Sequence, residues 1–203
     1  MIESESLFLF PRHLVSCHDG TYHEYRNDLI ESCYLERELD PKGASYSNIN
    51  GWQSEPTLEK EGTYWDIFFN QKITTLLKHC CKNELKLKDT SKVELIRWWV
   101  NISGKNSYNV MHTHPMCHYS AIFYVKCTEN SAHVRFHQRN ADHLTNDARE
   151  DNFLDKHKMH QQYNFSPSEG TLLLFPSALE HDVTLQEIDE DRISISFDIN
   201  IWP

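Results

Sequence analysis

The chain has 203 residues, with 20 Lys and Arg against 30 Asp and Glu, a formal charge of −10 when its 13 His are neutral. That acidity argues against an electrostatic grip on nucleic acid or an anionic membrane, since either calls for clustered Lys and Arg. At 39% hydrophobic and 12% aromatic, with only 6 Gly and 7 Pro, the composition excludes disordered and fibrous classes and suits a single domain over 1–203.

No apolar run approaches the roughly 20 residues that span a bilayer. The opening MIESESLFLFPRH places Glu3 and Glu5 where a secretory signal carries positive charge. The expected compartment is therefore the cytoplasm, with no membrane partner. Cys17, Cys33, Cys80, Cys81, Cys117 and Cys127 make no C-x-x-C pair, so reduced thiols packed as small hydrophobes are expected.

Taken in chain order, the first element is a helix from Gly20 to about Leu39, where Tyr22, Tyr25, Leu29, Ile30 and Cys33 recur at helical spacing. Asp40 to Pro56, holding Pro41, Gly43 and a run of Ser and Asn, reads as loop. A longer helix follows from Thr63 to about Leu87 on the stripe Tyr64, Ile67, Phe68, Ile73, Leu76, Leu77 and Cys80, with Thr63 and Asp66 placed like a capping box. The character changes at Lys92, where VELIRWWVNIS is rich in β-branched and aromatic residues. Further strands are predicted at about His118–Cys127, Ala132–His137, Thr171–Phe175 and Asp182–Leu185, and the chain ends in RISISFDINIW. The polar stretch from Gln138 to Gln162, with His143, His157 and His160, reads as a long surface loop or lid. Helices over about 1–90 and strands over about 91–203 give an α+β class, with helices on one face of an antiparallel sheet or barrel.

Period-two geometry in the last strand puts Arg192, Ser194, Ser196 and Asp198 on one face and Ile193, Ile195, Phe197 and Ile199 on the other. With the apolar face under the helices, the polar face looks into a small ligand-holding barrel or, alternatively, into solvent at the edge of a sandwich.

The densest chemical signal is MHTHPMCHYS, in which His112 and His114 stand two apart and project to one side of an extended segment. Two imidazoles so placed can share a first-row metal ion. His181, delivered by EGTLLLFPSALE to the start of another strand, is the third candidate ligand. Three imidazoles leave part of the coordination sphere open, as a catalytic metal requires. His118 shares their parity and is a fourth ligand, a group behind the ligands or a packed histidine, while His133 and His137 are assigned to the surface or lid. Arg192, with Ser194 beside it, suits a bidentate grip on a carboxylate, or else a salt bridge to Glu190 or Asp191.

SNINGWQS at 47–54, HTHP followed by SAIFYV, and EGTLLLFPSALEHDV leading to RISISF together resemble the 2-oxoglutarate and Fe(II)-dependent oxygenases. The nearest group is one of marine bacteria and phages whose members carry an HxH pattern. The resemblance covers most of the chain and implies a double-stranded β-helix (jelly roll) core with N-terminal helices packed on its major sheet. It also implies Fe(II), 2-oxoglutarate and O2 as cofactors. His112 would match the first metal ligand, His181 the distal one, Arg192 and Ser194 the cosubstrate clamp, and Tyr124 a tyrosine that prolyl-hydroxylase-like relatives hydrogen-bond to 2-oxoglutarate. The departure is His114, which stands where relatives carry Asp or Glu. Either it ligates, or Asp182 or another group helps two histidines. The implied activity is hydroxylation of an unidentified substrate, with a peptidyl or amino-acid side chain suggested by the prolyl-hydroxylase likeness.

Two other readings compete. GTLLLFPSALEH also approximates the second motif of cupin metal proteins, although the first cupin motif wants glutamate where this chain has His118. A barrel-shaped binding module with merely packed histidines is the non-enzymatic alternative. Arg192 separates the cupin from the oxygenase, because a cupin needs no carboxylate clamp there, and metal content separates the binding module from both.

Overall fold

A computed structural model describes residues 12–57, 63–137 and 162–203. The first helix, α1, runs over Arg26–Leu39 after a single 3-10 turn at Tyr22–Glu24, and it buries Leu29 and Cys33 as its spacing predicts. The second, α2, covers 63–84 and alternates α-helix (Thr63–Ile67, Thr74–His79) with wider π-type turns (Phe68–Ile73, Cys80–Glu84). Each π turn holds one residue more than an α turn and so rotates the buried stripe. This is why Phe68 and Ile73, five apart, are both buried while Ile67, expected in the stripe, is about half exposed. The expected capping box rests on the Thr63 side chain, which lies outside the described residues. No described helix is long and apolar enough to cross a membrane.

The strands are β1 (Val15–His18), β2 (Asn48–Ile49), β3 (Trp52–Gln53), β4 (Lys92–Ser103), β5 (Tyr108–His112), β6 (Tyr119–Lys126), β7 (Val134–His137), β8 (Gln162–Phe165), β9 (Thr171–Pro176), β10 (His181–Val183) and β11 (Arg192–Trp202). They form a major sheet in the order β1-β9-β6-β11-β4-β3 and a minor sheet in the order β2-β5-β10-β7-β8. Every pairing among the described residues is antiparallel. From β4 onward the chain crosses repeatedly between the sheets, which is the winding of a double-stranded β-helix. The α+β expectation holds in this form.

Two cores follow from strand alternation. Outward-facing Ala121, Phe123, Leu172, Leu174, Ile193, Ile195, Phe197 and Ile199 pack against α1 and α2, while Ile122, Tyr124, Leu173 and Phe175 face inward toward Val134 and Phe136 of the minor sheet. The inner strands of the major sheet are thus buried on both faces, and their apolar runs show it. On β4, Trp98, Val100 and Ile102 face the helical core, whereas before the bulge at Ile96 it is Val93 and Leu95 that pack there. The extra residue switches the parity of β4 while β11 keeps its own. All six cysteines are free thiols, and Cys33, Cys80 and Cys81 are buried as expected. Four strands arise outside the predicted elements: β1, the short β2 and β3 inside the expected loop, and β5. Gln162, expected to end the polar loop, begins a fifth, β8. The rest of that loop, with His143, His157 and His160, lies outside the described residues.

Candidate metal centre

The three predicted histidines come together through sheet register. β5 ends on His112, β10 begins on His181, and the two are direct cross-strand partners. His114 follows two residues beyond β5, where its backbone N–H donates to the Ser177 carbonyl at 3.0 Å. Ring centroids are 4.3 Å apart for His112 and His181 and 5.1 Å for each of the other two pairs. One ligand atom from each ring lies within 4.8 Å of the others.

The second nitrogen of each ring is already committed. Nδ1 of His112 faces the Val110 carbonyl at 2.8 Å, Nδ1 of His181 faces the Leu179 carbonyl at 2.8 Å, and Nδ1 of His114 faces Asp198 Oδ1 at 2.7 Å. Carbonyl and carboxylate oxygens only accept, so each Nδ1 donates and each Nε2 keeps the lone pair a metal ion requires. Ser47 Oγ stands 3.5 Å from His112 Nε2, at the edge of contact.

Burial, reinforced by the neighbouring imidazoles, lowers the pKa of His181 to about 3, and burial also lowers that of His112. Both rings are neutral at pH 7, the form that ligates. The unfolded chain takes up protons near pH 6.5 that the folded one refuses, so metal-free stability is full above that value and falls as pH drops toward about 3. Melting of the metal-free chain should therefore fall between pH 7 and pH 5. His181→Asn, neutral throughout, should flatten part of that slope; a slope unchanged by the substitution would contradict the assignment.

Sequence reasoning placed Asp198 on the polar face of β11 but gave it no role. It is fully buried and accepts hydrogen bonds from His114 Nδ1, Ser120 Oγ at 2.7 Å and Arg97 Nε at 2.6 Å. Burial by itself would raise its carboxyl, but the bonds from His114, Ser120 and Arg97 outweigh it and hold the group below the usual carboxylate range. The signal that could have found it is strand register, since Arg97 on β4 and Ser120 on β6 are both cross-strand partners of Asp198.

Arg192 is 2% exposed. Its Nη1 donates to Ser194 Oγ at 3.2 Å, and its Cζ lies 5.1 Å from the Tyr124 ring centroid. Arg192 Nε and the Tyr124 hydroxyl are both buried without a hydrogen-bond partner. Among the described residues no carboxylate reaches Arg192, so the salt bridge to Glu190 or Asp191 weighed from spacing does not form. Glu190 instead accepts at its backbone carbonyl from Gln186, and Asp191 faces Tyr34 and Arg37. Burial pushes the Tyr124 hydroxyl up to about 12 against the pull of Arg192, so it stays protonated and able to donate. Orphaned buried donors of this kind ask for an anionic ligand.

His112, His114, His181, Arg192, Ser194 and Ser196 all line one cavity of about 650 Å³, with Tyr124 buried behind Arg192. Trp99 and Ile122 contribute apolar wall, and Tyr46, Pro56 and Arg97 also line it. The polar face of β11 therefore looks into the barrel, not into solvent.

Two alternatives for the ligand set fail. Asp182 is held by Arg135 Nη2 at 2.8 Å and His137 Nε2 at 2.9 Å, and as the neighbour of His181 along β10 it takes the opposite face of the sheet. It cannot stand in for a carboxylate ligand. His118 is exposed, accepts from the backbone N–H of Ile201 at 2.9 Å and packs edge-on against Trp202, so it is neither ligand nor core. His137, expected at the surface or in the lid, is half-buried against Asp182.

Residues 97–198 match the family described as "Putative 2OG-Fe(II) oxygenase". The chain belongs to that family. Fe(II) and 2-oxoglutarate, the cofactors expected from the sequence, are those in the family's description. No protein of curated function matches the sequence. Among similar solved structures is a prolyl-4-hydroxylase from Pseudomonas putida, with TM-score 0.62 and 12% identity over 93% of this chain and 92% of that one. A prolyl hydroxylase in complex with a hypoxia inducible factor peptide fragment, from Trichoplax adhaerens, matches with TM-score 0.62 and 10% identity over 92% and 83% of the two chains. HygX from Streptomyces hygroscopicus, with nickel, 2-oxoglutarate and hygromycin B bound, gives TM-score 0.59 and 12% identity over 92% and 82%. At such identities the likeness is one of fold, and it agrees with the double-stranded β-helix.

Proposed function

We propose that this oxygenase holds Fe(II) on His112, His114 and His181 and couples oxidative decarboxylation of 2-oxoglutarate to hydroxylation of a C–H bond. One observation carries the reading: a single cavity is lined both by three imidazoles with available Nε2 atoms and by a buried guanidinium that no carboxylate among the described residues neutralises. The donor set fits the metal, because imidazole nitrogen suits first-row ions and three protein ligands leave positions open. The anion site fits the cosubstrate, because a dicarboxylate chelated at one end presents its other carboxylate to Arg192, Ser194 and Tyr124.

When bound, iron and 2-oxoglutarate supply the oxidising power, with succinate, CO2 and a hydroxylated product as the outcome. The chain's own residues supply position and shelter. Arg192, with its fork of N–H donors, fixes the far carboxylate in a dry pocket where charge-assisted bonds are strong. Trp99 and Ile122 line the cavity with apolar surface and keep water from the reacting centre. The side of the cavity near Tyr46, Pro56 and Pro115 receives the substrate. The peptide-bound relative favours a peptidyl or amino-acid side chain.

The test is succinate release by protein purified without oxygen and supplied with Fe(II), 2-oxoglutarate and air. Slow succinate formation that stops in chelator and needs oxygen is expected even without the primary substrate. Iron binding with neither 2-oxoglutarate binding nor turnover would leave the cupin reading in place, and a chain that binds no metal would leave the binding module.

A further inference from the structure

Asp198 is the buried group whose role the proposed reaction leaves unexplained. In the resemblance noted from sequence, the position of His114 carries a carboxylate that touches the metal and supplies one negative charge. Here the ring at that position hands its Nδ1 proton toward a carboxylate that is 0% exposed. Resting on the metal reading above, we propose that His114 and Asp198 act as one composite ligand, in which Asp198 returns the missing charge through the imidazole and fixes its orientation. Asp198 is thus a positioning residue: it reaches the metal only through His114.

Sheet register builds this arrangement. Arg97, Asp198 and Ser120 sit side by side on β4, β11 and β6 as direct partners, all facing the interior. The β-bulge in β4 lies immediately beside the Arg97 and Asp198 pair, where local twist aims side chains. Ser120 Oγ lies 2.7 Å from Asp198 Oδ1 and 2.9 Å from His114 Nδ1, so it closes a triangle around the shared proton. Trp99 covers the ring of His114 at 5.4 Å. A hydrogen-bonded carboxylate raises the basicity of a ligating imidazole and locks its tautomer. Arg97 holds the other oxygen, Oδ2, and its side chain is 39% exposed on the cavity wall. Its charge is therefore screened by water more than that of the enclosed carboxylate, so the field at the metal keeps a negative balance.

The experiment measures cobalt(II) affinity of metal-free protein by competition with a chromophoric chelator, alongside metal-free melting. Asp198→Asn should weaken binding about 10- to 100-fold, the range for lost partners of this kind. In a His114→Asp background the same change should cost about 3-fold or less, because the charge then sits on the metal directly. Equal losses in both backgrounds would mark Asp198 as merely structural and overturn the proposal, as would no loss in the parent. If Asp198→Asn does not fold, Arg97→Gln decides by sign. Releasing Asp198 from its counter-ion should tighten cobalt binding while lowering the metal-free melting point, and weakening of both together overturns the idea. A parent chain that takes up no cobalt sinks the metal reading itself; a parent that binds normally isolates the failure to Asp198.

Discussion

His181→Ala should lose metal affinity by about two to three orders of magnitude and reduce iron-dependent succinate formation to background. Zinc sites with four ligands reach roughly 10–16 kcal/mol, or about 2.5–4 kcal/mol for each ligand. Losing one of three leaves a bidentate pair that water competes with easily. The fold should survive, although the ring packs on Phe175 at 4.9 Å and on Phe136 at 5.9 Å, so some metal-free stability goes with it. Metal content after dialysis, read beside the melting curve, separates the two effects. Full metal retention in a folded variant would remove His181 from the ligand set.

The second large effect concerns the other end of the cavity. Arg192→Gln should weaken 2-oxoglutarate binding by about 2–5 kcal/mol, the cost of leaving one member of a buried charge pair alone, which is roughly 30- to several thousand-fold in Kd. A 2-oxo acid with no distal carboxylate should bind both proteins alike, and metal affinity should not change. Stability should move the other way. Without cosubstrate, Arg192 is an enclosed cation with an orphaned Nε and one hydroxyl partner, Ser194, so neutralising it should hold or raise the metal-free melting point. Calorimetric titration with the two acids checks the first part and thermal melting the second. Equal weakening for both acids would mean that Arg192 does not read the far carboxylate.

Much of this site was legible because its residues obey short-range periodicity. His112 and His114 are two apart, and the polar and apolar faces of β11 alternate without a break from Arg192 to Ile199. Other parts depend on contacts across many residues. β5, with the sequence YNVMH, lacks a β-branched run, and it is a strand because β2 and β10 flank it. Tertiary pairing overrides weak local preference there. β1 likewise exists because it edges β9. The predicted strand start at Asp182 fell one residue late, and that residue is the one that aligns His181 with His112. Asp198 was visible as a face but not as a partner, because no pattern within β11 says which residues of β4 and β6 lie opposite. The π turns of α2 leave no mark in a stripe of period 3.6, and they move Ile67 out of the buried face.

The strand β11 writes two messages in alternate letters. Odd positions from Ile193 to Ile199 hold the helices to the sheet, while Arg192, Ser194 and Ser196 line the chamber and Asp198 stands behind His114. Because neighbours in sequence sit on opposite sides of the backbone, the chamber can be re-lettered for a new guest at Ser194 or Ser196 while the scaffold's own vocabulary stays untouched. An inserted or deleted residue has no such freedom. It would exchange the two messages at one stroke, turning aliphatic side chains toward the chamber and the guanidinium toward the helices.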